Sequence, residues 1–410
     1  MSKPRHTEWI EQHFPQQIQL LKTLVQTPSD NPPGDCTPHA LITAHCLTEL
    51  GFEVEKHTVP QNIVEQAGMQ SATNLVVRHR FGPGPTIALN AHGDVVPPGG
   101  GWHKDPYGAE IENGLLYGRG AAVSKSDITT YAFALLALIN SGQPLQGTVE
   151  LHITYDEETG GATGPEWLLS QGISKPDYVV CAALSYFVVV AHNGCLHLEV
   201  TLQGKSAHAA FQQSVSDAIE AGTRLMTALY DYRDTLSDTH SSVEGIDTPT
   251  LVIGLVEGGI NTNVVADKMF IRLDRRILPE ESPENVEQIL TALIEAVTAQ
   301  SEDVEVTVRR ILLAAPFTPS PESLALADIF SQQAQALLQH PVPHVRLPLY
   351  TDARIYSDAG IPTVMYGAGP RSFLEAHGHR ANERVHLDDL KLATHVVANS
   401  LLQLLQRREG

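Results

Sequence analysis

The sequence predicts a large α/β domain that is interrupted by a smaller inserted α+β domain. Strands alternate with helices at both ends of the chain, which is typical of a mixed, largely parallel sheet flanked by helices. Between them, residues 194–312 follow the order strand, helix, strand, strand, helix, strand, which can close as a separate domain. The 410 residues also exceed what one hydrophobic core usually holds. We therefore expect a discontinuous domain of residues 1–193 and 313–410 around a lid of residues 194–312.

The elements before the lid are predicted from apolar periodicity and from turn residues. In residues 7–26 apolar side chains recur at helical spacing, and the proline-rich loop that begins at Pro28 ends this helix. Gly51 stands where a helix C-terminal cap is expected. The other predicted elements are helices at 38–50, 126–139 and 164–171, strands at 52–58, 74–79, 86–91, 147–155, 177–183 and 188–190, and a hairpin at 109–117.

The same patterns divide the rest of the chain. In the lid they predict strands at 196–202, 250–256, 264–273 and 304–311 and helices at 215–236 and 283–300. Beyond the lid they predict helices at 321–338 and 387–406 and a strand at 363–366.

The composition favours a protein that acts on small molecules. With a net charge of −20 and a pI near 5.3, the chain would be repelled by nucleic-acid phosphates and by anionic membrane surfaces. The first residues lack the apolar core of a signal peptide, and the apolar segments are too short to cross a bilayer. We expect a cytoplasmic protein with neither a nucleic-acid nor a membrane partner.

The cysteines are few for this length and form no close CxxC pair. Neither a disulfide framework nor a thiolate zinc site is indicated. They are expected to be small buried side chains in a reducing compartment, at Cys36, Cys46, Cys181 and Cys195.

Candidate metal ligands follow three separate predicted strands. His92 and Asp94 come after strand 86–91, Glu157 and Glu158 come after strand 147–155, and His379 lies in the loop after strand 363–366. In an open α/β sheet, ligands bind outside the carboxyl ends of the strands, so these side chains should converge. Two histidines and a carboxylate suit zinc or a similar divalent ion, with a position left for water. A carboxylate two residues from a ligating histidine suits the orientation of its imidazole.

An ordered set of motifs then identifies a resemblance. The motifs are HGDVVP at 92–97, YGRG at 117–120, DEETG at 156–160, GKSAHA at 204–209, NTNVV at 261–265, TDAR at 351–354 and HRANE at 379–383. In this order they resemble the family of zinc aminoacylases, acetylornithine deacetylases, succinyl-diaminopimelate desuccinylases and glutamate carboxypeptidases. The resemblance implies a catalytic α/β domain with an inserted ferredoxin-like lid, and a homodimer formed through the lid.

The resemblance also implies a role for each candidate at the metal site. His92 is a ligand of one metal, Glu158 and His379 are ligands of the other, and Asp94 orients His92. Glu157 is the general base that activates a metal-bound water and returns the proton to the leaving amine.

Four further residues are implied to contact the substrate. His208, in the lid, resembles the residue that stabilises the tetrahedral oxyanion, commonly from the partner subunit. Arg354 resembles a ligand of the substrate carboxylate, a task that suits the planar guanidinium. Asn263 and Arg276 are candidates of the same kind, although either could instead connect loops of the lid.

The sequence departs from the family at two metal-ligand positions. Val123 stands where the family has the aspartate that bridges two metals, and Ala183 stands where it has another carboxylate ligand. Because a two-metal site needs a shared anion between the ions, a conventional dinuclear centre is not expected.

Three explanations follow from this departure. His92, Glu158 and His379 could hold a single ion, as in mononuclear zinc hydrolases. Asp127, one helical turn after Val123, could replace the lost carboxylate, or it could simply favour the helix N-terminus. In the third case the metal is absent and the protein binds its ligand without hydrolysing it.

The leading hypothesis is a metal-dependent amidohydrolase with one divalent ion, zinc by preference. It would cleave an N-acyl amino acid or a dipeptide-like amide that carries a free carboxylate. The alternatives are a catalytically silent binding protein of the same fold and a hydrolase of a non-peptide C–N bond.

Overall fold

The computed structural model describes residues 4–214, 216–301 and 303–406. The chain divides into two compact units. The larger unit contains the residues up to Val190, Pro319–Val345 and the residues from Thr351 onward, and the smaller unit contains Ala191–Thr318 and Arg346–Tyr350.

The helices are longest where apolar periodicity is sustained. They are α1 (Arg5–Gln26), α2 (Thr37–Glu49), α3 (Gln61–Gln66), α4 (Lys125–Ile139), α5 (Pro165–Ser170), α6 (Ala218–Thr235), α7 (Pro283–Thr298), α8 (Pro321–Leu338), α9 (Ala353–Asp358), α10 (Phe373–Ala376) and α11 (Leu387–Leu405). Side chains of Asp217, Ser282 and Ser320 accept N–H groups of the first turns of α6, α7 and α8, which explains where these helices begin.

The strands complete the two units. They are β1 (Val54–Thr58), β2 (Thr73–Arg80), β3 (Thr86–His92), β4 (Glu110–Glu112), β5 (Leu115–Tyr117), β6 (Thr148–Thr154), β7 (Tyr178–Cys181), β8 (Val188–His192), β9 (Gly194–Gln203), β10 (Ala207–His208), β11 (Thr250–Gly258), β12 (Val264–Val265), β13 (Lys268–Ile277), β14 (Glu305–Ala314), β15 (His344–Leu347), β16 (Thr363–Met365) and β17 (Arg384–His386).

The main sheet has eight strands in the order β1-β2-β6-β3-β7-β16-β8-β15. Its four central strands, β6, β3, β7 and β16, are parallel, whereas β1, β2 and β8 pair antiparallel with their neighbours. In the register of β3 with β6, His92 lies opposite Thr154. The ends of these two strands are therefore level, and the loops that follow them begin side by side.

Helix α4 fixes the position of the loop that precedes it. The helix is buried from Lys125 to Leu138 and packs against α1, α11, β3 and β6, which explains why residues 131–139 are apolar on all sides. At its N-terminus the Oγ atom of Ser124 bonds the backbone N and O of His92, at 3.0 and 3.1 Å. The start of α4 is thereby tied to the end of β3.

The smaller unit contains a four-stranded antiparallel sheet in the order β11-β13-β9-β14. Helices α6 and α7 pack on one face, over alternate residues of β9 and β13 such as Leu196, Leu198 and Ile271. With the chain order β9, α6, β11, β13, α7, β14, this is a ferredoxin-like arrangement. The predicted fold class is confirmed.

Differences from the predicted elements are local. The predicted strand 264–273 is divided into β12 and β13, and the predicted helix 215–236 begins at Ala218, while residue 215 lies outside the described residues. Elements that were not predicted, such as α9, β10 and β17, are too short to show a period. No helix in the described ranges combines the length and the apolar character that a membrane span requires.

Candidate active site

The close approach of two strand ends creates the site. The N–H of Gly93 donates to the carbonyl of Thr154 at 2.8 Å, which continues the pairing of β3 and β6 beyond the strands. A Cβ atom on Gly93 would lie 2.4 Å from the Tyr155 ring, so only glycine allows this approach. It places the His92–Asp94 turn against the 3-10 turn Glu157–Thr159.

Asp94 joins the two turns and is fully buried. Its carboxylate accepts the backbone N–H groups of Glu157, at 3.3 Å, and Glu158, at 3.2 Å, and the side-chain amide of Asn31 at 3.0 Å. The same carboxylate lies 3.4 Å from Nδ1 of His92, and that nitrogen is also 2.9 Å from the Asp94 carbonyl. A proton on Nδ1 would thus be donated to Asp94, which leaves Nε2 of His92 as the free ligand atom.

The ligand atoms of His92, Glu157 and Glu158 all lie within 4.8 Å of one another. Nε2 of His92 is 3.9 Å from Glu157, and Nε2 of His379 is 3.2 Å from the Glu158 carboxylate. We call His92, Asp94, Glu157, Glu158 and His379 the edge cluster. The structure thus brings Glu158 and His379 into direct contact, and it places His92 beside Glu157.

Burial and neighbouring charges shift the pKa values of the side chains in the edge cluster. Burial raises the pKa of Glu157 to about 7; the charge of His92 opposes this shift, while Glu158 and Asp94 add to it. Burial alone would lower the pKa of His92, but Glu157, Asp94 and Glu158 raise it well above its usual value. Burial also acts to lower the pKa of His379, and Glu158 raises it. Imidazole and carboxylate donors around uncompensated charge fit a divalent cation of the zinc class.

Two further buried carboxylates adjoin the cluster, and the sequence analysis assigned them no role. Burial, together with the charge of Asp94, raises the pKa of Asp156 to about 7. Burial and then Asp156 and Glu157 raise the pKa of Asp352 well above its usual value. Asp156 belongs to the motif DEETG and Asp352 to the motif TDAR. Their place in these motifs is the feature of the sequence that could have identified them as site residues.

Arg354 is buried on α9 and reaches the loop that follows the glutamate pair. Its Nη2 atom donates to the carbonyl of Gly160 at 2.6 Å. Its buried Nε atom has no hydrogen-bond partner among the described residues. Arg354, which is predicted to bind the substrate carboxylate, therefore lies close to the edge cluster and has an N–H donor without a partner in the described part of the chain.

Glu383 and Arg119 hold the loop that contains Val123, and the sequence analysis also gave them no role. One Glu383 oxygen accepts the N–H groups of Ala122 and Val123, each at 3.1 Å, and the other is 2.6 Å from Nη1 of Arg119. Both Glu383 and Arg119 are fully buried. Glu383 belongs to the motif HRANE and Arg119 to the motif YGRG, and these motifs could have identified them.

Asp127 lies in the first turn of α4, beside the position of Ala183. One Asp127 oxygen accepts the N–H of Ala368 at 2.6 Å, and the other is buried without a hydrogen-bond partner among the described residues. A Cβ atom on Gly367 would lie 1.9 Å from the first oxygen and 2.9 Å from the nitrogen of Ala183. Burial raises the pKa of Asp127 to about 8, while the Ala368 N–H and His92 act to lower it. Its assignment as an extra metal ligand stays a prediction.

The remaining predicted residues lie in the smaller unit. His208 is exposed on β10, where it pairs with Val264 of β12, and the carbonyl of Asn263 accepts the N–H of Ala209 at 3.0 Å. Arg276 is 3.1 Å from Asp274 through its Nε atom, and its guanidinium lies over the Tyr350 ring. These contacts within the unit are consistent with the alternative that Arg276 supports the lid structure.

The sequence is similar to known proteins along most of its length. Residues 88–403 match the model of peptidase family M20/M25/M40. A succinyl-diaminopimelate desuccinylase from Gluconacetobacter diazotrophicus is 26% identical over 400 residues, which cover 95% of this chain and 97% of the relative. An acetylornithine deacetylase from Myxococcus xanthus is 26% identical over 359 residues, covering 87% of this chain and 89% of that protein.

A solved structure supports the same assignment of fold. The di-peptidase Dug1p from Saccharomyces cerevisiae superposes with a TM-score of 0.81 at 16% identity, over 97% of each chain. Since the family model covers more than half of the sequence, the chain belongs to peptidase family M20/M25/M40, a family of metal-dependent amide hydrolases.

Proposed function

We propose that the protein hydrolyses an N-acyl amino acid or a dipeptide-like amide that carries a free carboxylate. The observation that supports this most directly is the juxtaposition of Glu157 with His92 and Glu158 at the end of two parallel strands. Glu157 is only 15% exposed, and a carboxylate largely withdrawn from water has few structural uses, because burial of a charge costs stability. It has an evident use as a base.

One divalent ion is proposed to bind to His92, Glu158 and His379, and zinc is the metal that we expect. When bound, such an ion polarises an amide carbonyl and lowers the pKa of water. Val123 and Ala183 offer no side-chain ligand atom, so the donors present suit one ion better than two.

Glu157 is proposed to take the proton of the attacking water and to deliver it to the leaving amine. A carboxylate placed beside an activated water can accept its proton and return it to the leaving amine. Asp94 supports this role because it holds the N–H of Glu157 and the ring of His92 at the same time. The relative position of base and histidine thus depends on one buried side chain.

Arg354 is proposed to bind the carboxylate of the substrate through donors that Gly160 does not occupy. His208 is proposed to stabilise the oxyanion, and Asn263 and Arg276 to contact the substrate. The cytoplasmic location stays a prediction.

We further propose that the lid domain forms a homodimer. β11 is an edge strand of the smaller sheet, and it exposes the side chains of Val252, Leu255 and Val256. An exposed apolar edge strand is a ready surface for pairing with a second chain.

The test of the proposed activity combines metal content with turnover. Full-length protein is supplied with zinc, dialysed and assayed for bound metal, and then tested on a panel of N-acyl amino acids and dipeptides. We expect at least about one tightly bound zinc ion per chain, and turnover that a chelator abolishes and zinc restores. Protein that binds no ion and hydrolyses no amide in the panel would refute the proposal.

The substitutions at Val123 and Ala183 favour a second candidate, a binding protein of the same fold that does not hydrolyse its ligand. It would be stabilised thermally by a carboxylated amide in the presence of chelator, and Glu157→Gln would keep this stabilisation. Turnover that is lost in Glu157→Gln would reject it. Hydrolysis of a non-peptide C–N bond would appear as activity on amidines or ureas in an extended panel.

A further inference from the structure

A second group of metal-ligating side chains lies on the sheet of the smaller unit. Cys195 and His197 are two residues apart on β9, and Asp274 lies opposite His197 on β13. Because side chains alternate along a strand, all three point to the face opposite to α6 and α7. We call Cys195, His197 and Asp274 the sheet-face group.

The three ligand atoms converge on one point. Sγ of Cys195 is 3.0 Å from Nε2 of His197, and Oδ2 of Asp274 is 3.1 Å from the same nitrogen. Sγ of Cys195 is 3.9 Å from Oδ1 of Asp274. In tetrahedral zinc sites, ligand atoms at the usual bond lengths lie roughly 3.3–3.7 Å apart, so small movements would accommodate an ion.

The arrangement differs from that of a nucleophilic triad. In a triad the carboxylate binds one imidazole nitrogen and the nucleophile binds the other. Here both the thiol and the carboxylate lie against Nε2 of His197, so the imidazole does not stand between them as it does in a triad. A cation at the point where the three ligand atoms converge would bind thiolate, imidazole and carboxylate together.

The surroundings fix the group and leave one side open. Arg276 is 3.1 Å from Oδ1 of Asp274, so Oδ2 remains directed at His197. The Tyr350 ring meets His197 edge-on and lies under the Arg276 guanidinium. Cys195 is fully buried, whereas the side chains of His197 and Asp274 are 29% and 30% exposed, so an ion could enter between the latter two.

We propose that Cys195, His197 and Asp274 bind a thiophilic divalent cation of the zinc class, as a metal site formed by the smaller unit alone. A thiolate, an imidazole and a carboxylate select zinc, cobalt or cadmium over magnesium and calcium. Three protein ligands leave a fourth position for water or for an exogenous ligand.

Cobalt distinguishes this site from the edge cluster, because only a cysteine ligand produces a thiolate-to-cobalt charge-transfer band in the near ultraviolet. Full-length, metal-free protein in a thiol-free reductant is titrated with Co²⁺ and followed by absorption. Co²⁺ that binds at the edge cluster should not contribute to this band. We expect the band to account for about one additional Co²⁺ per chain. Cys195→Ser should abolish the band, and His197→Asn and Asp274→Asn should weaken cobalt binding at least about tenfold.

The matched control is Cys46→Ser, which removes a partly exposed cysteine of α2 and should keep the band. A wild-type titration without the band would overturn the proposal, as would a band that persists in Cys195→Ser. If Cys195→Ser does not fold, by circular dichroism, folded His197→Asn decides: an unchanged affinity refutes the site and a weakened one supports it.

Discussion

Histidine and carboxylate side chains lie close together in two places. One is at the carboxyl ends of the central strands of the larger sheet, and the other is on the face of the smaller sheet opposite to α6 and α7. The structural basis of the two groups differs. The edge cluster uses loops after parallel strands, and backbone N–H groups bind its central carboxylate, Asp94. The sheet-face group uses side chains within antiparallel strands, and Arg276 binds its carboxylate, Asp274. Strand ends supply free backbone donors, whereas strand interiors have used theirs in the sheet.

The two groups also differ in the pKa values of Glu157, in the edge cluster, and Asp274, in the sheet-face group. Burial raises the pKa of Glu157 to about 7, because His92 only partly offsets it. Burial also acts on Asp274, but His197 and Arg276 lower its pKa below the usual value. The histidines of the edge cluster therefore balance its negative charge only in part, whereas His197 and Arg276 stabilise the charge of Asp274. We expect the edge cluster to respond more strongly to metal and to substitution.

The largest expected effect is that of Glu157→Gln in the edge cluster. The amide keeps the volume but cannot accept a proton, so kcat should fall by about 10²–10⁴-fold while metal content is retained. Steady-state kinetics on the best substrate of the panel measures it. Glu166→Gln, on the exposed side of α5, is the matched control. Unchanged kcat in Glu157→Gln would remove the proposed base.

A smaller effect is expected for Asp94→Asn. The amide keeps one oxygen acceptor but places an NH2 group where the other oxygen accepts an N–H, and it removes the negative charge beside Nδ1 of His92, so the Kd for zinc should rise about 10–100-fold. Competition with a chromophoric chelator measures this Kd. Asp231→Asn, exposed on α6, should leave it unchanged. An equal loss in both variants would contradict the positioning role of Asp94.

Arg354→Lys should reduce kcat/KM by about tenfold for substrates with a free carboxylate. An ammonium lacks the planar pair of donors, so the loss should be much smaller for the same substrates with the carboxylate amidated. Arg224→Lys, in a surface pair with Glu220, controls for the general effect of the exchange. Equal losses for both substrate forms would assign Arg354 to the Gly160 loop alone.

The smallest expected effect concerns stability and pH in metal-free protein. Burial raises the pKa of Glu157 from 4.5, and that of Asp156 from 3.8, to about 7. At pH values between the usual and the raised pKa, the native state therefore binds more protons than the unfolded chain. The free energy of unfolding should therefore decrease from about pH 5 to about pH 7 and remain low above that, by an amount on the order of 1–3 kcal/mol.

Urea denaturation of chelator-treated protein across this range measures the slope. Glu157→Gln removes one of the groups that titrate in this range and should reduce the slope, whereas Glu166→Gln should preserve it. An unfolding free energy that increases over the same range in the chelated protein would contradict the charge imbalance of the edge cluster.

Helices and the central strands were predictable because their side chains repeat with a period. Helix α8 lies at the predicted residues 321–338, and β3 ends within one residue of the predicted 86–91. The positions of His92, Asp94, Glu157 and Glu158 at strand ends follow from the same patterns. The three parallel pairings between β6, β3, β7 and β16 place these ends at one edge.

Contacts that depend on side-chain direction or on register were not predictable. Glu383 reaches Val123 across the fold, and Cys195 was expected only to be a small buried side chain. Its burial agrees with that expectation, but its contact with His197 depends on strand geometry, and the contact with Asp274 depends on the register of β9 with β13.

The sequence by itself determined the order of the elements, the ferredoxin-like insertion and the polar residues at the strand ends, because each follows from local periodicity and motif order. Only the tertiary structure decided which carboxylates are buried together and which have a cationic neighbour. The reason is physical: a pKa responds to burial and to charges a few ångströms away, and these distances are set by packing and register rather than by spacing along the chain.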